Sequence, residues 1–282
     1  MIVVTGATGA LGRLVIADLL ERGVPAEEIV AVARDPQKAA DLGVPVRVGD
    51  YDRPETLPAA FEGADKLLFV SASEVGRRVP QHRAVIDAAK AAGVPFVAYT
   101  SILKADDTGI ALAAEHQATE AYLRESGLPH ALLRNSWYTE NYTAGAAGSI
   151  AAGAVIGSAG DGKVGAVPRA DYAAAAAVVL TTDGHEGKVY ELAADEPFSL
   201  AEYAAELARQ SGKPVVYNDL APADYVQALV GFGLDEGYAG ALADADQGIA
   251  RGELASDSHD LSRLIGRPTT SLADAVALAL KS

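Results

Sequence analysis

A glycine turn near the start of the chain constrains its fold more than any other feature. The β-branched run Ile2 to Thr5 leads into Gly6-Ala7-Thr8-Gly9-Ala10-Leu11-Gly12, and an amphipathic stretch from Leu11 to Arg22 follows directly. Leu11, Leu14, Val15 and Leu19 recur there at helical spacing, and Gly23 stands where a left-handed residue ends a helix. A strand, a tight turn and a helix in that order bring exposed backbone N–H groups and the positive end of a helix dipole to one place, which suits an anion. The spacing is GxxGxxG, not the more familiar GxGxxG. Its position between strand and helix makes pyrophosphate binding the expected role of Gly6, Thr8, Gly9, Ala10, Leu11 and Gly12.

The rest of the first half repeats the strand–helix rhythm. Strands are expected at Ile29 to Arg34, Val46 to Val48, Lys66 to Val70, Phe96 to Ser101 and Ala131 to Arg134, with helices at Arg83 to Ala92 and Ala113 to Glu125. Such alternation specifies right-handed βαβ units, hence an α/β fold with a doubly wound parallel sheet of the Rossmann type. After Arg134 the rhythm breaks into a Gly- and Ala-rich connection, an alanine helix from Asp171 to Thr182, a strand at Lys188 to Leu192 and several helices. Pro197 and Ser199 open one helix and Gly212-Lys213-Pro214 closes it, with two more between Leu220 and Gly240. We therefore expect a dinucleotide-binding domain of residues 1–134 with 165–184. A smaller C-terminal α/β lobe of residues 135–164 with 185–282 should lie on the substrate side.

Charge and composition narrow the partners. Lys and Arg number 23 against 38 Asp and Glu, and the net charge of −15 disfavours nucleic acid and anionic membrane surfaces. The chain has no cysteine, so thiolate metal sites and cysteine nucleophiles are excluded. Its five histidines show no metal-ligand spacing, and no metal is expected. Met1-Ile2-Val3-Val4 runs straight into the glycine turn without a leader-like segment, so a cytoplasmic protein is expected; a homodimer is compatible with all of this.

Cofactor choice turns on Arg34. An acidic residue about 20 positions beyond the glycine turn binds the ribose 2′-hydroxyl of NAD; here Arg34 ends the second strand at that distance, where a guanidinium suits a 2′-phosphate. Lys38 adds a nearby positive charge, whereas Asp35 supports the competing reading of a ribose-binding carboxylate. NADP(H) is the expected cofactor.

Further motifs follow in order: Ser73-Glu74-Val75-Gly76, Pro80-Gln81-His82-Arg83, Tyr99-Thr100-Ser101, Leu133-Arg134-Asn135-Ser136-Trp137-Tyr138-Thr139-Glu140-Asn141-Tyr142, Ala159-Gly160-Asp161-Gly162-Lys163, Arg169-Ala170-Asp171-Tyr172 and Ile265-Gly266-Arg267-Pro268. Together with the glycine turn this ordered set resembles the NAD(P)H:quinone oxidoreductases of type 2, in the NmrA-like group of atypical short-chain dehydrogenases/reductases. The resemblance covers essentially the whole chain. It implies a two-domain fold, an NADPH hydride donor and a small-molecule quinone acceptor. It also implies a cofactor surrounded by Thr8 to Gly12, Arg34, the Ala72-Ser73-Glu74 turn and the segment Trp137, Tyr138, Thr139, Glu140, Asn141 and Tyr142. Glu74 has an alternative as a solvated loop acid.

The Tyr-x-x-x-Lys pair of the wider reductase group is missing. Aligning the helix on Glu120 puts Leu112 at the tyrosine position and His116 at the lysine position. His116 has two readings, residual acid or ribose ligand on one side and helix structure on the other. Quinone reduction needs less proton handling than alcohol chemistry, because the acceptor is electrophilic and its reduced oxyanion takes a proton from water. Trp137, Tyr138 and Asn141 offer aromatic faces and an amide to a flat ring, with core packing as the alternative for Trp137. The NmrA-like group also contains NADP(H)-sensing regulators without turnover, which is the competing function.

Overall fold

The computed structural model describes residues 1–281. They form two compact units, one of Met1–Ile102, Glu115–Asn135 and Arg169–Tyr190, the other of Leu103–Ala114, Ser136–Pro168 and the chain from Glu191 onward. Residues 103–114, read from the sequence with the first domain, fall in the second unit. Their polar groups explain why: Lys104 bonds Glu191 and the Gly252 carbonyl, Thr108 bonds Glu253, and the Ala111 N–H bonds Asp244.

The first unit carries strands β1 (Ile2–Val4), β2 (Ile29–Ala33), β3 (Val46–Val48), β4 (Lys66–Phe69), β5 (Val97–Ile102) and β6 (His130–Asn135). Helices α1 (Ala10–Glu21), α2 (Leu57–Phe61), α3 (Arg78–Ala91) and α4 (Ala113–Ser126) connect them. The sheet order is β3-β2-β1-β4-β5-β6, with the strand Val189–Leu192 beyond β6. Each pairing from β3 to β6 is parallel. The chain thus winds outward from β1 to β3 and returns to β4 on the other side, the doubly wound order expected from the sequence, with its switch point between β1 and β4.

Burial on both faces explains the apolar strands: every residue of β2 and β5 is buried. Val3, Val32, Leu67, Phe69, Val97 and Tyr99 form one core with Phe61, Ile86 and Leu123 from the helices. On α1 packs the helix Arg169–Thr181, whose buried Ala173 to Ala177 permit close approach. This helix begins two residues before Asp171, the start expected from the sequence, and Asp171 lies buried in its first turn.

Helix α3 also starts earlier than expected, at Arg78 instead of Arg83. Its first turn is stabilised from a distance: the Glu115 carboxylate of α4 accepts from the N–H groups of Gly76 (3.0 Å) and Arg78 (3.1 Å). Farther along α4, fully buried Glu120 accepts from Arg134 Nε (2.9 Å) and Nη2 (2.6 Å), from Arg124 (2.9 Å) and from the Ser101 hydroxyl (2.6 Å). Four donors satisfy the carboxylate and pin α4 to β5 and β6.

The second unit pairs Ala154–Gly157 in parallel with Val216–Asp219 and Lys163–Val164 antiparallel with Phe198–Ser199. Its helix Leu200–Ser211 opens with a capping box of Ser199 and Glu202 and closes at left-handed Gly212, as the sequence signals predict. Two helices begin between Leu220 and Gly240 as expected, Pro222–Gly231 and Glu236–Ala250, but the second runs past Gly240 to Ala250. Among the described residues no helix is long and apolar enough to cross a membrane.

Candidate functional site

A cleft of about 250 Å³ opens at the carboxyl ends of the first unit's strands, beside the β1/β4 switch point. Gly6, Thr8 and Gly9 after β1, Arg34 after β2, and Ala72, Ser73 and Glu74 after β4 line it, so the structure gathers these sequence-selected residues from three separate turns. Ala10, Leu11 and Gly12 lie behind them at the start of α1.

The glycines have separate reasons. Gly6 has φ +60°, a left-handed conformation that glycine adopts without strain. A Cβ on Gly12 would overlap the Gly6 carbonyl oxygen and come within 2.9 Å of Ala7 Cα, so only glycine lets the helix sit this close to the turn. No side chain caps the start of α1 at Gly9 and its first turn holds no acidic residue, which leaves its positive end available to an anion.

Arg34 is largely exposed, at 69%, and its Nη1 lies 3.3 Å from Glu74 Oε1. Glu74 Oε2 in turn takes Arg77 Nη1 at 2.8 Å, and Arg77 Nη2 takes Asp52 at 2.8 Å. Asp35, the competing ribose ligand, accepts from the Gln37 N–H (3.0 Å) and caps the turn Pro36–Leu42. Its carboxylate therefore has a structural duty, and Arg34 is the group presented to the cleft.

The sequence reading missed several cleft residues, among them Asp50, Tyr51 and Gln81. The Tyr51 hydroxyl sits within bonding distance of Thr5 Oγ1 and of the Val70 carbonyl (2.9 Å), tying the ends of β1 and β4 together. Gln81, only 4% exposed, donates its Nε2 to Asp52 (3.1 Å) and Glu74 (3.4 Å), while its Oε1 is buried without a partner. Asn135 Oδ1, at the end of β6, is likewise buried and unpartnered. An amide at the carboxyl end of an apolar strand was the one signal that could have singled Asn135 out.

The loop after β4 is held by two side chains of α3. The Ala72 N–H donates to His82 Nε2 (2.9 Å) and Arg78 Nε donates to the Ala72 carbonyl (2.7 Å). Because a backbone N–H only donates, His82 Nε2 is unprotonated and Nδ1 carries the hydrogen toward Thr119 Oγ1 (2.8 Å). Burial, then the Arg78 charge, push the His82 pKa down to about 3. His116 is also buried, with Nδ1 2.8 Å from the Tyr99 hydroxyl and Nε2 3.5 Å from Arg78 Nη1. Burial first, then Arg78 and His82, bring its pKa to about 3 as well. Burial thus favours His116 as a neutral, packed imidazole at neutral pH.

The segment Trp137 to Tyr142 belongs to the second unit. Trp137 and Tyr138 are half-buried beside Val167, Thr139 is buried, and Asn141 is exposed in the short helix Glu140–Thr143. The Tyr142 ring packs on Phe198 (centroids 6.1 Å) and Tyr203 (5.8 Å). Thr139 and Glu140 line a second cleft of about 360 Å³ with Pro168, Ala275 and Leu278. Among the described residues no cluster of His, Asp and Glu is arranged to hold a metal.

A doubly wound sheet, a glycine turn at its switch point and an uncapped helix start define a dinucleotide-binding protein of the Rossmann class. The chain belongs to the NAD(P)H-binding family, which it matches over residues 6–183, and within it to the quinone oxidoreductase 2 type. It is 54% identical to quinone oxidoreductase 2 of Escherichia coli strain K12 over 280 residues, 98% of each chain. Its structure superposes on the crystal structure of the Escherichia coli NADPH-dependent quinone oxidoreductase complexed with NADPH with a TM-score of 0.96, at 53% identity, covering 99% of this chain and 100% of that one. Triphenylmethane reductase of Citrobacter sp., complexed with NADP(H), matches with a TM-score of 0.95 at 41% identity, covering 99% of this chain and 100% of that one. The resemblance read from the ordered motifs is thereby borne out.

Proposed function

We propose that this chain is an NADPH-dependent quinone oxidoreductase. The observation that carries the reading is the 54% identity to quinone oxidoreductase 2, sustained over 98% of both chains and so across both compact units. The first unit's cleft fits the cofactor on its own evidence: glycine cradles that a Cβ would fill, a helix start without an internal anion, and Arg34 at the rim. In this reading the turn from Gly6 to Gly12 holds the pyrophosphate by backbone N–H groups and Arg34 holds the adenosine 2′-phosphate. The Ala72–Glu74 loop, kept in shape by His82 and Arg78, forms the cleft wall.

When bound, NADPH supplies a hydride to the quinone, which with one proton from solvent becomes the hydroquinone and leaves NADP⁺. The chain's own contribution is placement and exclusion of water. Leu112 and His116 stand where a tyrosine and lysine would handle the proton, and His116 is neutral, so no side chain there acts as an acid. We assign quinone recognition to Trp137, Tyr138 and Asn141, whose rings and amide match a flat acceptor with two carbonyl oxygens. The cysteine-free composition suits a reducing cytoplasm. Steady-state NADPH oxidation with a panel of benzoquinones and naphthoquinones tests the reading. Turnover that depends on the quinone supports it, whereas tight NADPH binding without turnover assigns the chain to the sensing proteins.

A further inference from the structure

We infer that Glu74 lets this cleft take NADH as a second hydride donor, its Oε1 accepting a hydrogen bond from the adenosine 2′-hydroxyl while its charge opposes the 2′-phosphate of NADPH. The inference rests on the cofactor reading above and gives Arg34 a counterpart of opposite preference. Both side chains line the cleft and both reach solvent, Arg34 at 69% and Glu74 at 34% exposure, so a ligand there meets each of them. They come from different turns, Arg34 after β2 and Glu74 after β4, and stand 3.3 Å apart. Whatever 2′ substituent Arg34 bonds therefore also comes beside the Glu74 carboxylate. The two oxygens of that carboxylate are not equivalent. Oε2 is tethered by Arg77 Nη1 at 2.8 Å and by Gln81 Nε2 at 3.4 Å, whereas Oε1 has only the longer contact to Arg34. The tether keeps the charge at the cleft, and Oε1 retains the capacity to accept from a hydroxyl. A ribose hydroxyl has a hydrogen to give, but a phosphate offers acceptors and is itself negative, so the oxygen that binds one cofactor repels the other. The acid that NAD-binding sheets carry after the second strand is committed elsewhere in this chain, because Asp35 accepts from the Gln37 N–H as a cap. Glu74 supplies that carboxylate from the turn after β4 instead.

The test is calorimetric titration of the full chain and of Glu74→Gln with NADPH, NADH and 2′-deoxy-NADH, the last of which lacks the proposed donor. Exchanging a charged acceptor for a neutral one costs on the order of three- to tenfold in affinity. We expect Glu74→Gln to weaken NADH by that factor and to tighten NADPH by about two- to fivefold, the smaller change reflecting solvent screening of a part-exposed charge. In wild type, 2′-deoxy-NADH should bind on the order of tenfold more weakly than NADH, and in Glu74→Gln the difference should shrink to about two- to threefold. The kcat at saturation with either donor should be the same in both proteins, because the adenosine 2′ position is remote from the transferred hydride. A variant whose loop is merely loosened weakens NADH and 2′-deoxy-NADH alike and keeps their wild-type ratio. That outcome, a loss shared by NADH and NADPH, or unchanged binding of all three overturns the inference, as does a wild type that binds NADPH but not NADH. Where Glu74→Gln does not fold, Glu74→Asp, which draws the carboxylate back by one carbon, is read by the same ratio. A wild-type chain that binds neither NADPH nor NADH overturns the cofactor reading itself, a failure distinct from these.

Discussion

Replacing Arg34 by alanine probes how the cleft selects its cofactor. In the free protein the Arg34 side chain is 69% exposed and shares a 3.3 Å contact with Glu74. An exposed pair of this kind is worth about 0 to 1 kcal/mol, whereas hydrogen bonds from a guanidinium to a phosphate are worth about 1.5 to 3 kcal/mol. Phosphate binding must displace or share the Glu74 contact, so the net selective contribution of Arg34 is about 0.5 to 3 kcal/mol, or roughly 2- to 150-fold in the ratio of NADPH to NADH affinity. Titration of Arg34→Ala with each cofactor should therefore show NADPH weakened by that factor while NADH stays within about twofold of wild type. Glu74→Gln should move the ratio the other way, because the carboxylate that competes for Arg34 is removed. Equal losses for the two cofactors in Arg34→Ala would refute the reasoning and leave Arg34 as a solvated strand end.

Three further outcomes follow from the geometry. Gly12→Ala forces a Cβ against backbone atoms of Gly6 and Ala7, so it should lower stability by about 1 to 3 kcal/mol in urea unfolding and weaken NADPH at least tenfold; an unperturbed variant would show that the turn yields. Glu120→Ala strands Arg134 in the core and should cost about 3 to 5 kcal/mol in the same assay, a loss under 1 kcal/mol being inconsistent with the four-donor arrangement. His82 and His116 have folded pKa values near 3, below the unfolded value of 6.5, so between these limits the unfolded chain binds protons that the folded chain does not. Stability is then complete above about pH 6.5 and falls on acidification, by about 2 kcal/mol per histidine between pH 7 and pH 5. Urea midpoints against pH should flatten in His82→Gln and His116→Gln, and an unchanged slope would mean that the imidazoles charge within the fold.

The first unit was legible because its signals are local. Strand, glycine turn and helix between Ile2 and Glu21 are written in consecutive residues, and the buried strands show as unbroken apolar runs. Where tertiary partners decide, the sequence was silent. The start of α3 depends on Glu115, 37 residues beyond the Arg78 it caps, so no pattern near Arg78 announces it. Gln81 becomes an oriented amide only because Asp52, 29 residues earlier, and Glu74 meet it in space. Tyr142 shares its segment with Trp137 and Asn141, but adjacency along the chain does not say which rings it meets, and these prove to be Phe198 and Tyr203. The two-residue strands Lys163–Val164 and Phe198–Ser199 are too short for alternation to register.

Single-turnover reduction of a quinone by the NADPH-loaded protein tests the central claim most directly. Reduced nicotinamide absorbance should fall by one equivalent per protein-bound cofactor as one equivalent of hydroquinone forms, far faster than without protein. Deuterium at the transferred C4 position should slow the decay, while His116→Gln should leave most of the rate intact. A decay at the protein-free rate, with NADPH remaining tightly bound, would contradict the account and leave the chain a dinucleotide-binding protein without the proposed chemistry.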